Sequence, residues 1–396
     1  GPFDLPIMYD GSISAGTGGF ILDLDRLSYA SFTDRTDLGG LGVALDHLRP
    51  TATGSLGEIL EELDATDAPE FIGQALADMQ PAINAATTAA AVQGVHRTGA
   101  QITHRAQTAP RADRPAAFGA SAWFGILDGR ERRAAATGFG ATGEDTDGAL
   151  VGIEFSPGNR FTLGAAYADA RQYVTDLDSP AHARIDSHRG YLYGRWAQRN
   201  DESGWAASTH LGLGSSRIQT SRTVAFIDGA PEGTHRARDL SAALGASYGL
   251  RYRALTLRPF LDAEFVRLDE RAYTETGDSG VELTFPRQHE KSFLAGAGLV
   301  LSARLGLGRF ALIPEASVRQ SRDFSADSRG LAAAFDGGEV FLAPGRDLPK
   351  EQTDVSFALR AQFADRLAAT IRYTHTGYSR GHDYAETVAG QLFYAF

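Results

Sequence analysis

The chain has no cysteine. No disulfide can brace it, and it offers neither a thiolate metal ligand nor a thiol nucleophile. A cysteine-free chain also suits passage, unfolded and uncrosslinked, through an oxidising compartment. Lysine is nearly missing: Lys291 and Lys350 stand alone, and the other basic residues are arginines. The net charge of −11 argues against a nucleic-acid partner. No apolar run approaches the roughly 18 residues of a transmembrane helix. That leaves membrane β-barrels open, because each of their strands gives only a weak signal. No signal peptide is visible at Gly1, and Gly1-Pro2 has the look of a protease scar.

Three characters follow one another along the sequence. Residues 1–35 read as β-like and Gly-rich, with short apolar runs such as Leu27-Ser28-Tyr29-Ala30-Ser31-Phe32. Residues 36–81 read as helical: Leu41, Ala44, Leu45 and Leu48 keep helical spacing, and Ser55 and Asp67 open two further helices. Residues 82–107 form a slim helix of small and mildly polar residues that carries Asn84, Arg97, His104 and Arg105. About 26 residues at about 1.5 Å each reach about 39 Å, enough to cross a bilayer core of about 30 Å. Such a helix is too polar to face lipid and suits a narrow wet passage; an ordinary Ala-rich linker helix is the alternative. A Pro-punctuated boundary at 108–117 ends this part.

From 118 to 396 the period changes to two. Leu367, Ala369, Ile371 and Tyr373 alternate with Ala368, Thr370, Arg372 and Thr374. Val388, Gly390, Leu392, Tyr394 and Phe396 line one face of the last run, whose edge needs a partner strand that barrel closure would supply. Twelve such runs are counted, joined alternately by short turns near 156–159, 199–204, 253–254, 306–308 and 364–365 and by longer loops, the first two near 128–146 and 173–185. That alternation describes an outer-membrane barrel. Pro259 and Pro314 mark a bulge or a strand end.

One face of the runs is apolar. The other carries Glu154, His210, Arg251, Arg258, Asp262, Glu264, Arg304, Glu315, Arg319, Arg360 and Arg372. No second set of core elements exists to cover so much apolar surface, so the apolar face is expected on lipid and the charges in a polar lumen. Arg97, His104 and Arg105 are expected to meet carboxylates such as Glu154, Asp262, Glu264 and Glu315. Trp196, Trp205, Tyr191, Tyr193, Tyr248, Tyr252, Tyr373, Phe393, Tyr394 and Phe396 are candidates for interfacial girdles, while Trp123 falls on the polar face. The expected fold is all-β: a twelve-stranded antiparallel transmembrane barrel with an N-terminal helix threaded through it.

This order of elements resembles the translocator end of an autotransporter, the type V secretion family of Gram-negative bacteria. Leu27 to Phe32 resembles the last rung of a passenger β-helix, and Leu41-Gly42-Val43-Ala44-Leu45-Asp46 the helical stretch that follows it. Gly148 to Glu154 and Leu163 to Tyr167 resemble barrel strands two and three, and Tyr394-Ala395-Phe396 the signal read by the barrel-assembly machinery. The resemblance implies an outer-membrane protein that exports and anchors its own N-terminal passenger at the cell exterior, plugged by its helix and surrounded by lipid and lipopolysaccharide. It divides the chain into a passenger remnant at 1–35, a helical linker at 36–81, a lumen helix with its periplasmic connection at 82–117, and the barrel at 118–396. Some members cut themselves at an Asn-Asn pair; no such pair occurs here, and Asn84-Ala85 is the only comparable position on the helix.

A stand-alone porin-like channel with an N-terminal plug is the alternative function, and an enzyme site in the outer loops a third. Gly138 to Gly143 fits GxGxxG without the strand and helix a dinucleotide site needs. Gly277-Asp278-Ser279-Gly280 lacks a histidine base in register. No catalytic residue, cofactor or metal site is expected.

Overall fold

The computed structural model describes residues 6–17, 19–33, 35, 37–108, 119–136, 138–158, 160–199, 202–308, 310–325, 330–363, 366–379 and 382–396. The boundary read at 108–117 lies, from 109 onward, outside these residues, as does the expected turn at 364–365.

Twelve long strands form the wall: β1 (Gly119–Arg133), β2 (Thr142–Ser156), β3 (Phe161–Asp176), β4 (His182–Ala197), β5 (Gly204–Ser221), β6 (Glu232–Tyr252), β7 (Leu255–Glu270), β8 (Gln288–Ala303), β9 (Phe310–Asp323), β10 (Glu351–Phe363), β11 (Leu367–Tyr378) and β12 (Tyr384–Ala395). Each pairs antiparallel with its sequence neighbours, and β12 pairs with β1 from Tyr384↔Arg132 to Ala395↔Ser121. The Phe396 amide then donates to the Ala120 carbonyl at 3.0 Å. The sheet is closed, so no edge ladder is left open. A short strand, Leu305–Leu307, extends the β8–β9 turn.

The side chains sort as the alternation requires. Leu192, Leu213, Leu244, Ile153 and Leu261 point outward and are exposed, whereas Glu154, His210, Glu264 and Arg360 on the other face are buried. Pro259 and Pro314 lie inside β7 and β9, not at strand ends. Pairing of β6 with β7 lapses opposite Pro259, which has no N–H to give, and resumes in unchanged register at Leu250↔Leu257. Neither proline makes a bulge.

The loops expected at 128–146 and 173–185 are shorter than the sequence suggested. β1 and β2 stay paired out to Arg133↔Thr142, leaving 134–141 as the connection. The paired extension has charges on its outward face, including Asp128, Arg130, Arg132, Asp145 and Asp147, so its period of two has no apolar member there. On the same rim Tyr273–Thr274, Leu283–Phe285, Gly330–Phe335 and Phe341–Pro344 make a four-stranded sheet out of two long loops.

Among the described residues four α-helices precede the barrel: α1 (Gly39–Leu48), α2 (Gly54–Ala65), α3 (Pro69–Met79) and α4 (Ala82–Thr108). Ser55 and Asp67 do not cap them; Thr53 and Ala68 hold the cap positions, without side-chain bonds, and Pro69 starts α3. The apolar stripes of α1 to α3 bury Leu41, Leu45, Leu60, Leu63, Ile72 and Leu76 against Leu283, Phe285, Leu331, Phe335 and Phe341 of the loop sheet, in one core. Phe71 of α3 stands edge-on to Phe226 of the loop after β5, ring centres 6.1 Å apart. Helices and loops thus form one cap.

Before the helices, Tyr9–Gly16 and Gly19–Arg26 pair as a hairpin. The run at 27–32, read as a β rung, is instead a 3-10 turn over Tyr29–Phe32. Tyr29 is drawn into the cap, where its hydroxyl donates to Asp64 at 2.7 Å. Arg26 and Arg49 donate to the same carboxylate at 2.9 and 2.7 Å. Burial pushes the Asp64 carboxyl up, but these three donors outweigh it and hold the group below its ordinary value.

Candidate translocation lumen

α4 runs inside the barrel. Near its start, Asn84 donates to the hydroxyl of Tyr273, a loop residue, at 3.0 Å; near its end, the Gln107 carbonyl accepts from Arg258 at 3.4 Å, close to the short-turn rim. Two glycines let it approach the wall. A Cβ on Gly94 would lie 2.3 Å from Gln172 Oε1, and one on Gly99 2.3 Å from Glu264 Oε1.

The first half of the helix is held by an apolar seam. Val92 and Val95 pack with Val174, Ile185, Ile218, Val266 and Leu268, all from lumen faces of β3 to β7. The lumen, expected to be polar, is apolar along this seam. Gln172 crosses the seam and donates to the Ala90 carbonyl at 3.0 Å.

Below the seam the contacts are ionic. His96 Nδ1 lies 2.7 Å from Glu264, and its Nε2 2.8 Å from Ser292 Oγ. Arg97 pairs with Glu131 and Glu144 and donates to Thr146 at 2.7 Å. Thr98 and Tyr191 share a hydrogen bond of 2.8 Å, and Thr103 lies 3.0 Å from His210 Nδ1. Arg105 makes the most complete contact. Its Nε and an Nη each donate to one oxygen of Glu154 at 2.7 Å, a planar fork with both partners almost fully buried. Tyr193 donates to the same carboxylate at 2.9 Å and itself accepts from Trp123 Nε1 at 2.7 Å. The Arg105 guanidinium stands 4.5 Å from the Phe393 ring centre.

Of the acidic partners expected for the helix, Glu154 meets Arg105, and Glu315 lies 3.7 Å from His104, which also touches Arg372. Arg372 in turn binds Glu315 at 2.6 Å. Glu264 takes His96, with His210 at 3.5 Å, rather than an arginine. Asp262 is bound at 2.8 Å by Arg319, two strands along the same side of the wall, and not by α4. Arg97 finds Glu131 and Glu144, which lie in the stretch read as loop. Arg360 faces Glu202 at 3.9 Å, and Arg258 reaches the end of α4. Arg251 and Arg304 are on the lumen side in parity but exposed at the short-turn rim, where Arg304 donates to Gln362 at 3.1 Å. Tyr191, Tyr193 and Phe393 are buried in the lumen and not in a girdle, whereas Trp205, Tyr252, Tyr394 and Phe396 are outward and exposed.

α4 lies closer to β3–β7 than to the opposite wall. Between it and β7–β11 remains a cavity of about 220 Å³ lined by Gln101, His104, Asp262, Arg319, Asp354 and Arg372, among others. Ser279 and the amide of Gly280 bind Glu282 at 2.7 and 2.9 Å, so the Gly277–Gly280 motif is a turn closed on itself.

A closed barrel of twelve antiparallel strands, apolar outside and ionised inside, defines an outer-membrane β-barrel protein. The sequence profile of the Autotransporter beta-domain matches residues 122–374. The chain belongs to the autotransporter family and to the bacterial outer membrane. Its fold is similar to the translocator domain of the autotransporter NalP from Neisseria meningitidis (TM-score 0.60, 17% identity, covering 79% of this chain and 98% of that one). It is also similar to the transport unit of AIDA-I from Escherichia coli (TM-score 0.56, 18% identity, 75% and 97% covered) and the beta domain of Bordetella BrkA (TM-score 0.52, 13% identity, 70% and 100% covered). No curated protein sequence matches the chain. Family and neighbours support an outer-membrane translocator role.

Proposed function

We propose that the barrel exports an N-terminal passenger and then holds it at the cell surface, with α4 left in the lumen as the plug. The observation that carries this reading is the buried fork between Arg105 and Glu154. A helix in transit would have no reason to be met by a matched, desolvated partner. In this reading residues 1–35 are the end of the passenger, 36–81 the linker and 82–117 the lumen helix with its periplasmic connection. Lipid and lipopolysaccharide surround the wall, and Tyr394 and Phe396 present the signal to the barrel-assembly machinery. The role is transport without an enzymatic step. The chain stays intact, so heated protein should give one band on a denaturing gel.

The cap acts as a latch. α1 to α3 share a core with the outer loops, and Arg222 ties them by donating to the Met79 carbonyl at 3.1 Å and to Glu275 at 2.8 Å. The cavity beside α4 is the one feature that favours a stand-alone channel, and the same experiment separates the two. Removing residues 82–107 should raise single-channel conductance in planar bilayers several-fold over the intact chain. An intact chain that already conducts freely, with no change on deletion, would count for the channel.

A further inference from the structure

The two rims of the barrel carry charge differently. On the long-loop side several outward cations are set beside a carboxylate. Arg171 and Arg184 both bind Asp186 at 2.9 Å, and Arg267 binds Asp269 at 3.0 Å. The short-turn side is mainly cationic. Among the described residues its connections hold five arginines, Arg160, Arg199, Arg253, Arg304 and Arg366, against one carboxylate, in a chain whose net charge is −11. That carboxylate, Glu202, faces inward to Arg360 at 3.9 Å. Arg160, Arg253 and Arg366 are exposed.

These arginines stand next to the outward aromatics that mark the membrane boundary. Trp205 pairs with Tyr248 at 5.1 Å, Phe310 with Phe363 at 5.0 Å and Tyr394 with Phe396 at 5.4 Å between ring centres, all on this end of the outer face. Arg160 precedes the outward Phe161. Arg253 lies 5.3 Å from the ring centre of the outward Tyr252, which sets its guanidinium at the level where aromatic rings meet headgroups.

We propose that the short-turn rim binds the phosphate headgroups of anionic phospholipid in the periplasmic leaflet, with Arg160, Arg253 and Arg366 as the outward contacts. A guanidinium offers two parallel donors to a phosphate, and a ring of them at headgroup height fixes the vertical position of the barrel. A basic residue near an anionic surface changes the partition by about fivefold. Three together should enrich phosphatidylglycerol over phosphatidylethanolamine by at least on the order of tenfold.

The test uses the full chain in nanodiscs of mixed phosphatidylethanolamine and phosphatidylglycerol, with co-purifying lipid counted by native mass spectrometry. The wild type should retain phosphatidylglycerol selectively. The combined Arg160→Gln, Arg253→Gln, Arg366→Gln chain should lose that preference, and the corresponding triple change to Lys should keep it. Arg171→Gln with Arg184→Gln, on the other rim, should have no effect. A heat-dependent gel shift identifies variants whose barrel has not closed, and the Lys variant then carries the comparison. Equal retention of both lipids by the wild type would overturn the proposal, as would a Gln variant that keeps the preference. So would full displacement of the lipid by soluble glycerol phosphate (an anion site only) or by polyglutamate (a site for acidic polypeptide).

Discussion

Replacing Glu154 by Leu removes the partner of a guanidinium that is 3% exposed. An uncompensated buried charge costs about 3–5 kcal/mol. The Phe393 and Trp123 rings stand 4.5 and 5.8 Å from Arg105 and remain in place. They offset about 1 kcal/mol of that cost. The net loss of about 2–4 kcal/mol falls on the state with α4 seated, because in the unseated state water solvates Arg105. At about 1.4 kcal/mol per tenfold, the unseated population rises on the order of 30- to 1000-fold. Planar-bilayer recordings read it as more frequent full openings. Arg105→Leu should act similarly, since Glu154 is then left with only Tyr193 and Ser121. The double change removes both charges and should recover most of the closed time, giving a coupling energy of at least about 1 kcal/mol in the cycle. Opening rates unchanged in both single variants, or a double variant no better than the sum of the singles, would refute the claim that this pair seats the helix.

Three other outcomes are expected. Phe335→Ala removes a nearly fully buried ring from the cap, stacked 5.7 Å from Phe341. It should cost the cap about 3–5 kcal/mol, seen as faster proteolysis within residues 37–81 while the barrel band persists. Asp64 has a lowered pKa in the folded cap, so its contribution is fully present above the ordinary value of 3.8 and is lost as pH falls through the lower, folded value. Protease resistance of the cap should therefore be flat from neutral pH to about pH 5 and fall only in stronger acid; Asp64→Asn should lower it at neutral pH by about 2 kcal/mol. Gly99→Val should unseat α4 as Glu154→Leu does, because its side chain would occupy the place of the Glu264 carboxylate that His96 holds.

The wall was legible because period-two alternation needs only one greasy face. Where β11 alternates Ile371 and Tyr373 with Arg372 and Thr374, the sequence itself states which side meets lipid. It fell silent where both faces are polar. Glu131 and Glu144 belong to paired strands, but their outward neighbours are Arg130, Arg132 and Asp145, so the segment reads as loop and the partners of Arg97 were missed. Leu192 is outward and fixes Tyr191 and Tyr193 on either side of it as inward, a parity signal that their aromatic identity masks. The apolar seam beside Val92 and Val95 was hidden by the same parity rule, which assigns a face and not its polarity. The stripe of α1 was readable from Leu41, Ala44, Leu45 and Leu48, but nothing in it names its partner. That partner comes from loops more than two hundred residues away, brought near only when the barrel closes. The run at 27–32 alternates well enough for a strand, but the Ser28 hydroxyl accepts from the Ala30 amide and turns the chain.

Which face of the wall meets hydrocarbon decides whether the barrel can span a membrane at all. The chain has no native cysteine, so a single introduced thiol reports without background. Leu213→Cys and Leu244→Cys are outward, each original side chain 68% exposed; Ser216→Cys and Ser241→Cys are their buried lumen counterparts. Each is labelled with a small fluorophore and reconstituted into vesicles whose acyl chains carry bromine. The outward pair should be strongly quenched and the lumen pair not. Quenching at Ser216 and Ser241 with none at Leu213 and Leu244 would contradict the account.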